Sequence, residues 1–181
     1  MGVTIHFEGK VKGATAYSLL IDELREFAAS HDWKCEELAE SNAVLKRVRD
    51  EKPWENLGPT FGLQLWPHSA CDPLRFEFDK DYYVQEFVKT QFAGVDTHIA
   101  IIELFRRIQF FFEGLKIEDE GEFWNTSDEN ILTEHIHRCN EVLDRYDYQV
   151  GASQITFRDS PDCRQEGFVG APDGRPPPLR C

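Results

Sequence analysis

The sequence predicts an α+β domain of two layers, in which an antiparallel-leaning sheet of four to six strands packs with about three helices. Three observations predict this class: an alternating strand pattern at the N-terminus, a series of short strand-like segments, and apolar stripes at helical spacing on either side of that series. We predict that residues 1–150 form one α+β domain. Residues 151–181 hold five of the nine prolines and predict a disordered, flexible Pro/Gly-rich tail.

The first two elements are a strand and a helix. Apolar and polar residues alternate over Val3–Val11, which predicts a strand with one face in water. Leucine and phenylalanine then recur at helical spacing, with Thr15 as the predicted cap and an end near Ser30. The alternation favours an antiparallel or mixed sheet.

Short strands are predicted through the middle of the chain. Ser41 and Asn42 suit a tight hairpin, while Pro53, Gly58 and Pro59 predict breaks between strands. The predicted strands are Trp33–Leu38, Ala43–Val48, Thr60–Trp66 and Leu74–Phe78.

The next segment fits neither the strand nor the helix period. We therefore predict a partly buried connector over Asp79–Phe92. A long helix follows from Asp96 to about Glu113, with Gly114 as the residue that ends it.

The last two elements are a strand and a helix. One further short strand is predicted within Leu115–Trp124. Thr126 and Glu129 then form a capping-box pattern, which predicts the start of the last helix.

Charge disfavours nucleic acid as a partner. The chain has 33 acidic and 20 basic residues and a formal net charge of -13, which repels a phosphate backbone. A basic run lies beside apolar positions and is typical of the solvated outer face of a strand. This run consists of Lys46, Arg47, Arg49 and Lys52.

Cysteine usage and hydropathy indicate a soluble, cytoplasmic protein. The five cysteines are odd in number and form no CxxC pair, which favours reduced thiols over a disulfide framework. No segment reaches the roughly 18 apolar residues that span a bilayer, so we expect no membrane partner.

One cluster has the spacing of metal ligands. Glu134, His135 and His137 lie near Cys139, and a Glu-x-x-His helix supplies half of a carboxylate-bridged di-iron site. The second half is missing, because Glu103 on the other long helix has no histidine three residues later. We predict neither a metal nor a cofactor.

A small enzyme or ligand-binding domain is the alternative hypothesis for function. His6 and Glu8 face the same side of the first strand, and His98 opens the long helix as an exposed residue. His68 and Cys71 share a loop, but no glycine-rich elbow accompanies them. These residues form a site only if the fold brings them together.

The leading hypothesis is a non-catalytic, acidic protein-interaction domain: an accessory, regulatory or inhibitor-like factor. Its partner is expected to be a protein, with a basic one favoured by the acidity of the chain. A homodimer built on an aromatic surface is a further alternative. The predicted partner-binding residues are aromatic or acidic: Trp54, Trp66, Asp79, Asp81, Tyr82, Tyr83 and Glu86.

Overall fold

The computed structural model describes residues 2–49 and 52–155, with Arg49 and residues 144–155 as backbone alone. The chain divides into two compact units, Met1–Asp144 and Arg145–Cys181. The regular elements are β1 (Thr4–Val11), α1 (Ala14–Ser30), β2 (Lys34–Arg49), β3 (Lys52–Trp66), β4 (Leu74–Phe78), β5 (Tyr83–Lys89), α2 (Val95–Ile108), a 3-10 turn (Gln109–Phe111), β6 (Phe112–Asp119), α3 (Phe123–Thr126) and α4 (Glu129–Ile155).

The six strands in the described residues form two antiparallel sheets, which confirms the α+β class. Sheet 1 has the order β5-β1-β6, and sheet 2 has the order β2-β3-β4. Strands β4 and β5 join at their ends, where the N–H of Asp79 donates to the carbonyl of Tyr83 at 3.1 Å. No ladder links these two strands in the described part of the chain, so the strands divide into two sheets at this point.

One apolar core lies under both sheets. Phe7 of β1 contacts Phe76 of β4 and Phe105 of α2, with ring centroids 5.3 and 4.8 Å apart. Leu20 and Leu24 of α1 are buried in the same cluster. The apolar residues of the alternating strands therefore face the helices, and the polar residues of β1 face outward.

Strands β2 and β3 are much longer than the sequence predicts. The hairpin predicted at Ser41 and Asn42 is wrong: the two residues lie opposite Pro59 in a bulge of a continuous strand. Pro53 and Gly58 also lie inside β3. Strand β4 pairs only with Phe61–Leu65, so the earlier part of β3 has β2 as its one neighbouring strand. Prolines are tolerated there because no strand on the other side requires their missing N–H.

The connector predicted over Asp79–Phe92 contains strand β5, so that prediction is wrong. Val84 and Val88 are fully buried as in a strand with one face in the core. Glu86 lies between them on the same face, where an apolar residue would have completed the alternation.

Three predicted helix boundaries also differ. Helix α1 begins at Ala14 with Gly13 as its N-cap, so Thr15 lies inside the helix and the predicted cap is wrong. Helix α2 ends at Ile108, and Gly114 lies in β6 opposite Lys10, because the 3-10 turn redirects the chain before that glycine. Asp128, and not Thr126, caps α4: its Oδ1 accepts the N–H of Asn130 at 2.8 Å.

No helix in the described ranges is long and apolar enough to cross a membrane. Helix α4 runs to Ile155, so it includes the first five residues of the tail that is predicted to start at residue 151. The remainder of that predicted tail lies outside the described residues.

Candidate functional site

The C-terminal part of β2 and the N-terminal part of β3 form a two-stranded ribbon that lies against sheet 1. We call residues 43–49 and 52–58 the ribbon; they pair with each other, while β4 pairs only with Phe61–Leu65. The N–H of Val48 donates to Oε1 of Gln85 at 2.7 Å, and Nε2 of Gln85 donates to the carbonyl of Val48 at 2.9 Å. The Gln85 side chain thus pairs with the ribbon backbone as another strand would.

A buried ion pair fixes the ribbon to the turn between β4 and β5. Arg47 donates to Asp79, and their side chains are only 2% and 4% exposed. Arg47 Nη2 also donates to the carbonyl of Tyr83 at 2.8 Å. Asp79 accepts from Nδ2 of Asn56 at 3.2 Å and from the N–H groups of Asp81 and Tyr83 at 2.9 and 3.1 Å. The carboxylate is therefore saturated with donors, as a buried charge requires.

This pair corrects two sequence predictions. Arg47 was predicted on a solvated face, and Asp79 was predicted as part of an accessible acidic surface, but both are buried. The reason is the pairing of two residues that lie 32 positions apart, which removes both charges from water.

Four of the predicted partner-binding residues meet around one depression, which we call the turn cleft. Its volume is about 300 Å³. Trp54 comes from the ribbon, and Asp79, Asp81 and Tyr83 come from the β4–β5 turn and the start of β5. Trp54 is 38% exposed, so it remains accessible at the surface of the ribbon.

Two other predicted partner-binding residues lie elsewhere. Trp66 ends β3, where the ammonium of Lys34 sits 4.4 Å from its ring centroid. Tyr82 packs at the core boundary, with ring centroids 5.5 Å from both Tyr17 and Phe61. Neither lines the clefts beside the ribbon.

Glu86, the seventh residue of that set, lines a second depression, which we call the edge cleft. Its volume is about 450 Å³, and residues 43–47 of β2 form one wall of it. Arg75 and Glu77 of β4 also line it, with Nη2 of Arg75 2.7 Å from Oε2 of Glu77. The hydroxyl of Thr60 donates to the other oxygen of Glu77 at 2.7 Å. Glu77 is thus fully engaged by neighbours.

The carboxyl of Glu86 has no bonded partner among the residues of the edge cleft. The pKa of Glu86 is raised to about 7, mainly by burial; Arg75 and Arg47 oppose the rise, and the charge of Glu77 adds to it. Among the described residues, no hydrogen bond or ion pair reaches this carboxyl, because each arginine is committed to another acid. Glu86 is consequently available to exchange a proton or to receive a cation.

A third depression, the sheet cleft, lies on the outer face of sheet 1 and has a volume of about 470 Å³. On its floor Glu8 accepts from the hydroxyl of Tyr83 at 3.1 Å, Nε2 of Gln85 at 2.6 Å and Nζ of Lys116 at 3.1 Å. Burial opposes ionisation of Glu8, but these three donors outweigh it and the pKa of Glu8 lies below its ordinary value. His6 lines the same cleft as an exposed residue.

His68 and Cys71 do not form a catalytic pair. Nδ1 of His68 accepts the N–H of Ala70 at 3.1 Å, and Sγ of Cys71 donates to the carbonyl of Lys89 at 3.4 Å. Burial, with the nearby charge of Asp72, raises the pKa of Cys71 to about 12. A thiol that stays protonated at neutral pH is a poor nucleophile.

His98 was predicted as an exposed residue at a helix start, and this prediction is wrong. Its side chain is 0% exposed, and Nδ1 lies 2.7 Å from the hydroxyl of Thr90. Nε2 lies 3.1 Å from Oδ1 of Asp119, without the alignment of a hydrogen bond. Burial opposes ionisation of Asp119, but His98 and the N–H groups of Trp124 and Gly121 outweigh it and hold the pKa of Asp119 below its ordinary value. This cluster ties α2 to the end of β6 inside the core.

The candidates of the enzyme hypothesis therefore lie in three separate places: the sheet cleft, the loop before β4 and the core. In addition, no three His, Cys, Asp or Glu side chains are placed to hold a metal ion within the described residues. At the metal-like cluster, Glu134 pairs instead with Arg138, and Nε2 of His135 lies 3.5 Å from Glu122.

Several residues of the clefts were missed as site residues. Arg75 and Glu77 alternate with Leu74, Phe76 and Phe78, and this pattern marks a polar face of β4. Nothing in the sequence shows that the ribbon lies beside that face. Comparisons with protein-family models, curated proteins and solved structures found no match.

Proposed function

We propose that the chain is a non-catalytic protein-interaction domain that binds another protein through the ribbon and the clefts beside it. It would act as an accessory, regulatory or inhibitor-like factor. The observation that carries this proposal is the exposure of large apolar side chains on the ribbon. Val44, Val48 and Leu57 are 55%, 58% and 72% exposed.

These apolar residues share one face of the ribbon. Val44 pairs with Leu57 and Val48 pairs with Pro53, and side chains of directly paired residues lie on the same face. Residues two apart along a strand also share a face, so both pairs are on one side. Contiguous exposed apolar surface is typical of a protein-interaction site.

Charge favours a basic partner. The chain carries a net charge of -13, and Asp81 is exposed at the turn cleft. Such a field speeds the encounter with a basic protein and weakens with added salt. We place the domain in the cytoplasm, which agrees with the free thiols of Cys35, Cys71 and Cys139.

The proposal is tested by affinity retention. The full chain is immobilised, exposed to lysate of its own source at low and moderate salt, and the retained proteins are identified by mass spectrometry. A double variant, Val44→Ser with Leu57→Ser, removes the apolar face. Leu19→Ser is the matched control, because Leu19 is 54% exposed and belongs to α1, not to the ribbon.

We expect the wild-type chain and Leu19→Ser to retain one stoichiometric, salt-sensitive protein that the double variant loses. An empty wild-type column, or equal retention by the double variant, contradicts the proposal. A second copy of the chain is another possible occupant of this face; light scattering that shows a dimer dissociated by the double variant would replace the partner with a homodimer.

A small ligand-binding domain or enzyme is the second candidate, and Glu86 favours it. A carboxyl with a pKa of about 7 in a cleft of about 450 Å³ suits proton transfer near neutral pH. A small-molecule thermal-shift screen on wild type and Glu86→Gln tests this candidate. A compound that stabilises only the wild type supports it, and a screen without one counts against it.

A further inference from the structure

The hydrogen-bonding direction of β2 is fixed by its contact with Gln85. The N–H and the carbonyl of Val48 both bond to Gln85, so both point away from β3. In an antiparallel ladder this direction repeats every second residue. Val44 and Lys46 therefore also turn their N–H and carbonyl groups away from β3. Pro53, opposite Val48, agrees with this direction because no ladder bond requires its missing N–H.

This backbone edge runs along the edge cleft. Residues 43–47 line the cleft consecutively, and β2 is the outermost strand of sheet 2. The Gln85 side chain occupies the edge at Val48 alone. Val44 and Lys46 thus each present one donor and one acceptor to the cleft, which is the template for an added strand.

The cleft also contains buried polar atoms without partners. Nε of Arg47 and Nε of Arg75 are buried and have no acceptor among the described residues. The Arg47 side chain is 2% exposed, so its Nε is closed to a bound peptide as well as to water. A peptide backbone therefore pairs with the β2 edge itself, where its N–H groups and carbonyls meet those of Val44 and Lys46.

One acid of the edge cleft is open to a cation. The cleft is lined by three acids, Glu40, Glu77 and Glu86, and by three basic residues, Lys46, Arg47 and Arg75. The two arginines are committed to Asp79 and Glu77. Glu86 is left without a counter-ion in the described part of the chain. A lysine or arginine side chain of a bound peptide would supply this counter-ion.

We propose that the β2 edge at Val44–Lys46 accepts an extended segment of the partner protein as an added strand, and that a lysine or arginine of this segment pairs with Glu86. This inference rests on the proposed interaction function and specifies its mode and the chemistry of the partner. Main-chain hydrogen bonds supply the binding, and the cation selects the segment.

The test uses nuclear magnetic resonance of the isotope-labelled full chain. The probe is a capped pentapeptide, TVKVT, at up to a few millimolar, which suits a short and weakly bound strand. We expect saturable shifts of the Val44 and Lys46 amide signals. The peptide TVEVT and a backbone N-methylated TVKVT should produce none, since one lacks the cation and the other lacks the donors. Glu86→Gln should weaken TVKVT binding by about fivefold.

Two proline variants distinguish the loss of the exposed β2 edge from a general loss of stability. Lys46→Pro removes the N–H that faces the cleft, and Glu55→Pro removes the N–H of the residue directly opposite, which points to the other side of the ribbon. Neither substitution deletes a ladder bond, so equal urea midpoints are expected. Lys46→Pro should abolish the TVKVT shifts and partner retention, whereas Glu55→Pro should preserve the TVKVT shifts.

Absence of saturable shifts with TVKVT, or equal partner retention by Lys46→Pro and wild type, overturns strand addition. If the apolar double variant still loses the partner in that case, the proposed interaction function stands and only this mode is wrong. An empty wild-type column instead contradicts the interaction function itself.

Discussion

Removal of the Asp79 carboxylate should strongly destabilise the domain. In Asp79→Ala the guanidinium of Arg47, 2% exposed, keeps the carbonyl of Tyr83 but loses its anion. The N–H groups of Asp81 and Tyr83 and the amide of Asn56 lose their acceptor at the same time. Breaking a buried ion pair from one side costs about 3–5 kcal/mol, and we expect a loss in that range.

A double-mutant cycle shows whether this loss arises from the pair. Arg47→Met replaces the guanidinium by an apolar side chain of similar length, so the double variant contains no uncompensated buried charge. We expect the double variant to be more stable than the sum of the single losses implies, by about 2–3 kcal/mol. The assay is urea unfolding of the full chain followed by circular dichroism, with similar slopes for all variants.

The control is an exposed ion pair on the same protein. Arg25 and Glu37 pair with side chains that are 46% and 73% exposed, so Glu37→Ala should cost no more than about 1 kcal/mol. A loss below about 1 kcal/mol for Asp79→Ala, or strict additivity in the cycle, would refute the conclusion that a buried pair holds the ribbon.

Three further predictions concern other parts of the fold. Between pH 4.5 and about 7 the unfolded chain releases the Glu86 proton while the folded chain holds it, so this group makes stability fall as the pH rises through that window. Glu86→Gln should therefore be more stable than wild type above pH 7 by about 2 kcal/mol, allowing for partial exposure, and equal to it below pH 4.5. Urea unfolding of both proteins across this pH range measures the difference in stability, and a difference that does not change with pH contradicts the prediction. His98→Leu leaves the buried Asp119 without its ring partner and should cost about 2–4 kcal/mol, seen by calorimetry as a Tm lower by roughly 6–12 °C; an unchanged Tm contradicts the structural role of His98. Gly62→Ala places a Cβ 1.8 Å from a backbone oxygen of β4 at a φ of 150°, so it should lose most of its soluble yield, whereas Gly58→Ala, with nothing within 4 Å, should express as wild type does.

The elements that the sequence predicts well are those with a regular period. The alternation over β1 and the apolar stripe of α2 each identify an element, because one face is buried against a single core. The second strand of the ribbon, residues 52–58, was missed because Pro53 and Pro59 usually exclude a strand, and only the missing second neighbour of β3 makes them tolerable. Strand β5 was missed because Glu86 interrupts its apolar face.

The site was predictable only as a set of residue types. Trp54, Asp81 and Tyr83 were selected as aromatic or acidic residues near loops, and the fold brings them to one cleft. The contacts that build the clefts join distant segments, such as Val48 with Gln85 at a separation of 37 positions. No local pattern encodes such a separation, so Gln85 was not identified.

Hydrogen exchange of the full chain, alone and mixed with the protein it retains, tests the central claim most directly. The account predicts slower exchange at the backbone amides of the ribbon, residues 43–49 and 52–58, and unchanged exchange around the exposed Leu19 and Phe110. Protection confined to the surfaces around Leu19 or Phe110, with the ribbon unchanged, would contradict it.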